Sequence, residues 1–212
     1  MNADGITIVF TCNPGDIDKL AVSLKTLEFN PPSVPYDVLI IPDGDGQRFK
    51  EFLSACSGPR LFEWPGSLGD GIVAALRSVP ASFWMIAHPD VLFLSPLWCD
   101  AILSRMIESD ISVMGSNMFE EIATSGGTFR FVPSWILVGR SEALRVIGSE
   151  DGGGRFRGPI IHFKTRAMGG AVAGAALGGL FHHMGNCTCD KAPPPDIERA
   201  RLESVMLGRA GR

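Results

Sequence analysis

Phe83-Trp84-Met85-Ile86-Ala87-His88-Pro89-Asp90-Val91-Leu92-Phe93 drives an apolar strand into a single acidic tip. Ser95-Pro96-Leu97-Trp98 and a helical pattern from Cys99 to Ile107 follow, so the local order is strand, acidic turn, short extended step, helix. In α/β proteins ligands collect at the carboxyl ends of strands, where a carboxylate can hold a divalent metal against a phosphate-bearing substrate. Asp90 stands at such an end. An aspartate closing a strand is also an ordinary turn former, so the neighbouring elements have to decide its role.

Upstream, Ile6 to Phe10 reads as a buried strand, with Thr11-Cys12-Asn13 as the loop leaving it. Asp16 is placed to cap a helix whose Leu20, Leu24 and Leu27 share one face. Val38 to Ile41 is a second apolar strand and runs into Pro42-Asp43-Gly44-Asp45-Gly46. A short third strand around Arg60 to Glu63 precedes Gly69-Asp70-Gly71 and a helix through Arg77. Continuous apolar runs of this kind predict strands covered on both faces. The expected fold class is therefore α/β, a mostly parallel sheet with helices on both faces, its strands near Ile6, Val38, Arg60 and Phe83 presenting a pocket at their carboxyl ends.

This succession resembles the nucleotide-binding part of family 2 glycosyltransferases, inverting enzymes of GT-A fold. Thr11-Cys12-Asn13 is similar to the family's Pro-Thr-x-Asn, and Pro42-Asp43-Gly44-Asp45-Gly46 to its Val-Val-Asp-Asp-Gly-Ser turn. His88-Pro89-Asp90 falls where the family carries its Asp-x-Asp metal motif, with His88 in place of the first aspartate. Further on, Phe131 to Arg140 with Ser141-Glu142-Ala143-Leu144 looks like the strand and helix that build part of the acceptor site, and Phe181-His182-His183-Met184-Gly185-Asn186 is similar to the late histidine turn. One element departs from the pattern. Where the family places a Glu-Asp pair whose aspartate is the catalytic base, this chain has Pro159 and Ile160.

The resemblance implies a metal-dependent transfer of a sugar from a nucleotide-diphosphate donor, UDP-type, to an acceptor that the sequence does not specify. Growing charge on the diphosphate leaving group calls for a divalent cation, Mn²⁺ or Mg²⁺. Asp90 and His183 are the expected metal ligands, His183 being preferred to His182 because it is nearer the turn. Asp43 is the expected acceptor for a base N–H, Thr11 and Asn13 line the same pocket, and His88 touches the ribose or completes the metal shell. For the base that deprotonates the acceptor, the available groups are Glu150, Asp151, Glu120, Glu121 and His162. Asp151 is the first choice and His162 the second. The missing pair leaves open an alternative, a non-catalytic module that kept the nucleotide-sugar pocket and lost the base. A related nucleotidyltransferase would be expected to carry a glycine-rich, lysine-bearing phosphate loop after the first strand, and none is seen there.

Composition agrees with this class. The chain has 212 residues, 45% of them hydrophobic, enough for one full core. Residues 1–189 read as a single domain, 1–107 the nucleotide half and 108–189 the acceptor half. Residues 190–212 read as a Pro-rich linker and a short helix that packs on its own domain or on a second copy in a homodimer. A formal charge of -4 argues against nucleic acid as a partner. The start of the sequence carries no secretory-signal pattern, and five scattered cysteines suit reduced thiols, so a cytoplasmic protein is expected. Cys187-Thr188-Cys189 beside His182 and His183 forms only half of a zinc cluster, and loop cysteines are the simpler account. Ala167 to Leu180 is apolar but too short for a membrane span, which needs about 20 residues. Its small residues suggest a closely packed helix, with an apolar loop as the competing expectation.

Overall fold

The computed structural model describes residues 5–66, 68–78, 80–116, 120–124, 127–131, 135–145, 164–166 and 168–184. The first half alternates β1 (Ile6–Cys12), α1 (Ile17–Phe29), β2 (Tyr36–Pro42), α2 (Gly46–Leu53), β3 (Arg60–Leu61), α3 (Leu68–Ser78) and β4 (Phe83–Ala87). It continues through β5 (Val91–Phe93), α4 (Trp98–Glu108) and β6 (Ile111–Ser116). A hairpin of β7 (Glu120–Thr124) and β8 (Gly127–Phe131) follows, then β9 (Ile136–Arg140), β10 (Ala171–Ala175) and β11 (Phe181–His183).

The main sheet has the order β10-β6-β9-β4-β1-β2-β3. Strands β4, β1, β2 and β3 are parallel neighbours, as are β6 and β10, while β9 runs antiparallel to both β4 and β6. A mostly parallel sheet is therefore present, with one reversed strand near its centre. Its strands bury both faces because their side chains alternate. Ile6, Ile8 and Phe10 join Val38, Ile40 and Met85 in a core with Leu20 and Leu27 of α1, Phe49 of α2 and Ile102, Leu103 and Met106 of α4. Val9, Leu39, Ile41, Trp84 and Ile86 point the other way, onto Ile72, Val73 and Leu76 of α3. Helices thus cover both faces, and each fully buried aliphatic or aromatic side chain contributes about 1.5–3 kcal/mol.

Two small residues let this packing close. A Cβ on Gly139 of β9 would lie 2.0 Å from Cζ2 of Trp84, whose indole N–H donates to the Arg140 carbonyl at 2.9 Å. A Cβ on Gly71 of α3 would sit 3.2 Å from Cβ of Trp64 and 3.4 Å from Cγ2 of Ile41, so the glycine brings α3 against the end of β2.

Three expectations need correction. Within the segment from Ala167 to Leu180, the described residues 168–180 are neither a helix nor a plain loop: the chain turns at Gly169, whose φ is +81°, and then forms β10 on the edge of the sheet. Glycine is a poor helix former, and the space at Gly170, 2.9 Å from Ser112 Oγ at its Cβ position, suits backbone laid against β6. The run from Phe131 to Arg140 is split between β8 and β9. Asp16 occupies the N-cap position of α1 without bonding the helix backbone; its buried carboxylate takes Lys19 Nζ at 2.5 Å and Asn13 Nδ2 at 2.7 Å. The linker and helix expected at 190–212 lie outside the described residues. Among the described residues no helix is long and apolar enough to cross a membrane.

Candidate metal and nucleotide site

The carboxyl ends of β1, β2 and β4 lie side by side, and their loops carry the residues singled out above. At β1, Thr11 pairs in register with Ile41 of β2 and is half-buried. Asn13 spends its amide inside the loop: Oδ1 accepts from the Gly15 N–H at 2.8 Å while Nδ2 donates to Asp16. At β2, the Asp43 N–H donates to the Cys12 carbonyl at 2.8 Å, which pins the two strand tips together and leaves the Asp43 carboxylate exposed. Its neighbours have local duties. Gly44 adopts φ +124°, open to glycine, and Asp45 caps α2 by accepting from the Gln47 N–H at 2.9 Å.

At β4 the turn is held more tightly. The His88 N–H donates to the Trp135 carbonyl at 2.9 Å, and the His88 carbonyl accepts from Val91 at 3.3 Å. Strand β5 then leaves along α1: Ser23 Oγ donates to the Val91 carbonyl, Thr26 Oγ1 accepts from the Phe93 N–H at 3.1 Å and Asn30 donates to the Phe93 carbonyl at 2.8 Å. Its other edge pairs antiparallel with β11, placing His183 opposite Val91 and Phe181 opposite Phe93. The Met184 N–H donates to the Asp90 carbonyl at 3.1 Å, closing β11 over the acidic turn.

Strand alternation decides which histidine arrives. Phe181 and His183 point to one side of β11 and His182 to the other. Phe181 is buried against Phe93 and Trp98, with ring centroids 5.4 Å and 5.5 Å away, and His182 is exposed. His183 therefore faces Asp90, its Nε2 standing 3.3 Å from Oδ1. The His183 ring is stacked on Trp135 at 5.1 Å with 12° between planes, and the His88 ring lies 5.7 Å away. One nitrogen each from His88 and His183 and one Asp90 oxygen all lie within 4.8 Å of one another.

Asp90 is fully buried. Burial alone would raise its pKa; the hydrogen bond and charge of His183, joined by the charge of His88, outweigh that and hold the carboxyl below its ordinary 3.8. With both rings neutral, the cluster offers a carboxylate and two imidazoles, a donor set suited to a divalent cation. Ligands at about 2.1 Å on one ion stand up to about 4.2 Å apart, a span into which the 3.3 Å between His183 Nε2 and Asp90 Oδ1 falls.

Trp135 is the residue that sequence reasoning left without a role: it precedes β9, where nothing in its local pattern points to His183. The candidate bases Asp151 and His162, with Glu150, lie outside the described residues, as do Cys187 and Cys189. Glu120 and Glu121 open β7.

Solved structures of similar architecture include glucosyl-3-phosphoglycerate synthase from Mycobacterium tuberculosis, in complex with Mn²⁺, UDP and glucosyl-3-phosphoglycerate. It matches with a TM-score of 0.61 and 14% identity over 98% of this chain and 80% of that one. A Pyrobaculum calidifontis mannosyltransferase with GDP-Man and Mn²⁺ matches with a TM-score of 0.58 and 11% identity, covering 82% of this chain. The chain spans 55% of the length of that enzyme. TarS of S. aureus in complex with UDP-GlcNAc matches with a TM-score of 0.59 and 10% identity over 93% of this chain and 64% of that one. This chain has a GT-A fold. Asp90 lies at the junction of its main sheet and the small β5–β11 sheet. No family model and no curated protein matches the sequence.

Proposed function

We propose that this chain is a glycosyltransferase that uses a nucleoside-diphosphate sugar, UDP-type, and a divalent cation held by Asp90 and His183. The observation that carries this is the cluster of His88, Asp90 and His183 at the carboxyl edge of a GT-A sheet, with the exposed carboxylate of Asp43 at the same edge across β1. A bound Mn²⁺ or Mg²⁺ supplies neutralisation of the charge that grows on the departing diphosphate. Each of the similar structures named above carries a nucleotide or nucleotide sugar in its own site, and two of them carry Mn²⁺.

In this proposal Asp43 accepts a base N–H, Thr11 lines the pocket and Asn13 keeps its loop in shape through Asp16. Burial of Asp90 serves the chemistry, since charge interactions are stronger where water is excluded. Asp151 is proposed as the base that takes the acceptor proton, with His162 as the second choice. The region from 108 onward is proposed to supply the acceptor side of the cleft.

The test is direct. Calorimetric titration with UDP should give tight binding with Mn²⁺ and at least about 10-fold weaker binding after chelation. A UDP-sugar incubated with the protein and Mn²⁺ should slowly release free sugar. Equal UDP affinity with and without the ion would remove Asp90 and His183 from the metal role, and an intact sugar nucleotide after long incubation would remove the enzymatic one.

A further inference from the structure

We propose that Trp135 is the positioning residue of this cluster: the face of its indole holds the His183 ring, and its carbonyl holds the backbone of His88. The inference rests on the metal-binding function proposed above and adds how imidazoles from remote parts of the chain come to share one centre. Ile136, which follows Trp135, pairs with Ala87, which precedes His88. The bond from the His88 N–H to the Trp135 carbonyl at 2.9 Å therefore carries the β4–β9 ladder one step further. Residues facing each other across an antiparallel ladder present their side chains on one face. His183 lies on that face, its ring centroid 5.1 Å from that of Trp135 and 5.7 Å from that of His88.

The backbone alone does not aim His183. Strand β11 is three residues long and sets the Cα of His183 opposite Val91, but the ring still turns about two bonds. The second of these joins a tetrahedral carbon to a flat ring, and such torsions have broad wells. The approach of Nε2 to Asp90 Oδ1 at 3.3 Å orients the ring only while no ion is held. A nitrogen that gives its lone pair to an ion has no proton left for the carboxylate. The stack on Trp135, with 12° between planes, engages the ring face and neither nitrogen, so it serves equally before and after an ion arrives. The His88 ring, tilted 59° to that of His183, offers no such flat support. Partners that orient a metal ligand without touching the metal are a general source of affinity.

The experiment is a double-mutant cycle on the full chain, read by calorimetric titration with Mn²⁺. Trp135→Leu should weaken binding about 5-fold, the scale of one aromatic stack, while Trp135→Phe, which keeps a flat face, stays within about 2-fold of wild type. In the His183→Ala background Trp135→Leu should cause no further loss, because the ring it aims is gone. A purely structural role would weaken binding in both backgrounds. The second measurement needs no substitution at Trp135: in NMR spectra the His183 ring protons, assigned by their absence from His183→Ala, should be displaced upfield by the indole both without metal and at saturating Mg²⁺. The role is overturned by wild-type Mn²⁺ affinity in Trp135→Leu, by an equal loss with His183 absent, or by disappearance of the upfield displacement when Mg²⁺ is added. The NMR result decides the matter if Trp135→Leu does not fold. Failure of the wild-type protein to bind either ion would instead bring down the metal function, and this role with it.

Discussion

Asp43 and Asp90 both close strands of one sheet in short turns, and their surroundings could hardly differ more. Asp43 projects from a turn whose other polar groups are occupied by the tip of β1 and the start of α2, and its carboxylate stays in solvent. Asp90 is covered by β11 and receives His183 at 3.3 Å. A buried carboxylate is costly unless charged or hydrogen-bonding partners compensate it, so the covering strand had to bring a partner with it. The difference separates an open tip, which under the proposed function takes its role from a ligand, from a site whose side-chain geometry is already built by the fold.

The comparison is sharpened first through stability. Phe181→Ala should cost about 3–5 kcal/mol in chemical denaturation, because the ring fills the space between Phe93 and Trp98 that holds β11 in place. Asp43→Ala should change stability by no more than about 0.5 kcal/mol. A loss below about 1 kcal/mol for Phe181→Ala would mean that β11 is not the strap that builds the Asp90 site.

Metal affinity is the next contrast. Asp90→Asn should weaken Mn²⁺ binding on the order of 100-fold by calorimetry, about 2.7 kcal/mol, while Asp43→Ala leaves binding of the ion alone unchanged. His183→Ala should weaken it about 10-fold, near 1.4 kcal/mol, and His182→Ala should have no effect. A loss in His182→Ala with none in His183→Ala would show that the outward ring, not the inward one, is the ligand.

The smallest effect is expected at the open tip. Asp43→Ala should weaken UDP binding about 5-fold in the presence of Mn²⁺, in keeping with about 1 kcal/mol for one solvent-accessible hydrogen bond. A loss of similar size for Mn²⁺ without nucleotide would abolish the distinction between the two tips.

The parallel half of the molecule was legible in the sequence because strands buried on both faces leave unbroken apolar runs, and Ile6 to Phe10, Val38 to Ile41 and Phe83 to Ala87 are such runs. The acidic turn at Asp90 and the helix after it could be placed for the same reason. What the chain could not disclose locally was pairing. Nothing in Ala171 to Ala175 distinguishes an edge strand from a small-residue helix until β6 lies beside it, and the reversal of β9 is a property of the connection, not of its residues. His183 was preferred to His182 as a metal ligand for its nearness to the turn; what the structure shows is which ring faces Asp90, and that follows from the two-residue alternation of β11 with Phe181 inward. Trp135 stayed silent because its partner is far along the chain.

That distance has a further consequence for biosynthesis. The β1–α1–β2 unit can assemble from neighbouring segments soon after it is made, whereas β5 must wait for β11, and pairings between remote segments are slow to form. During translation, which proceeds from the N-terminus, the emerging polypeptide owns the Asp43 edge well before it owns the Asp90–His183 pair. The proposed competence to hold an ion therefore matures after that edge, and a cation that bound only the finished arrangement would pull the docking of β11 to completion by mass action.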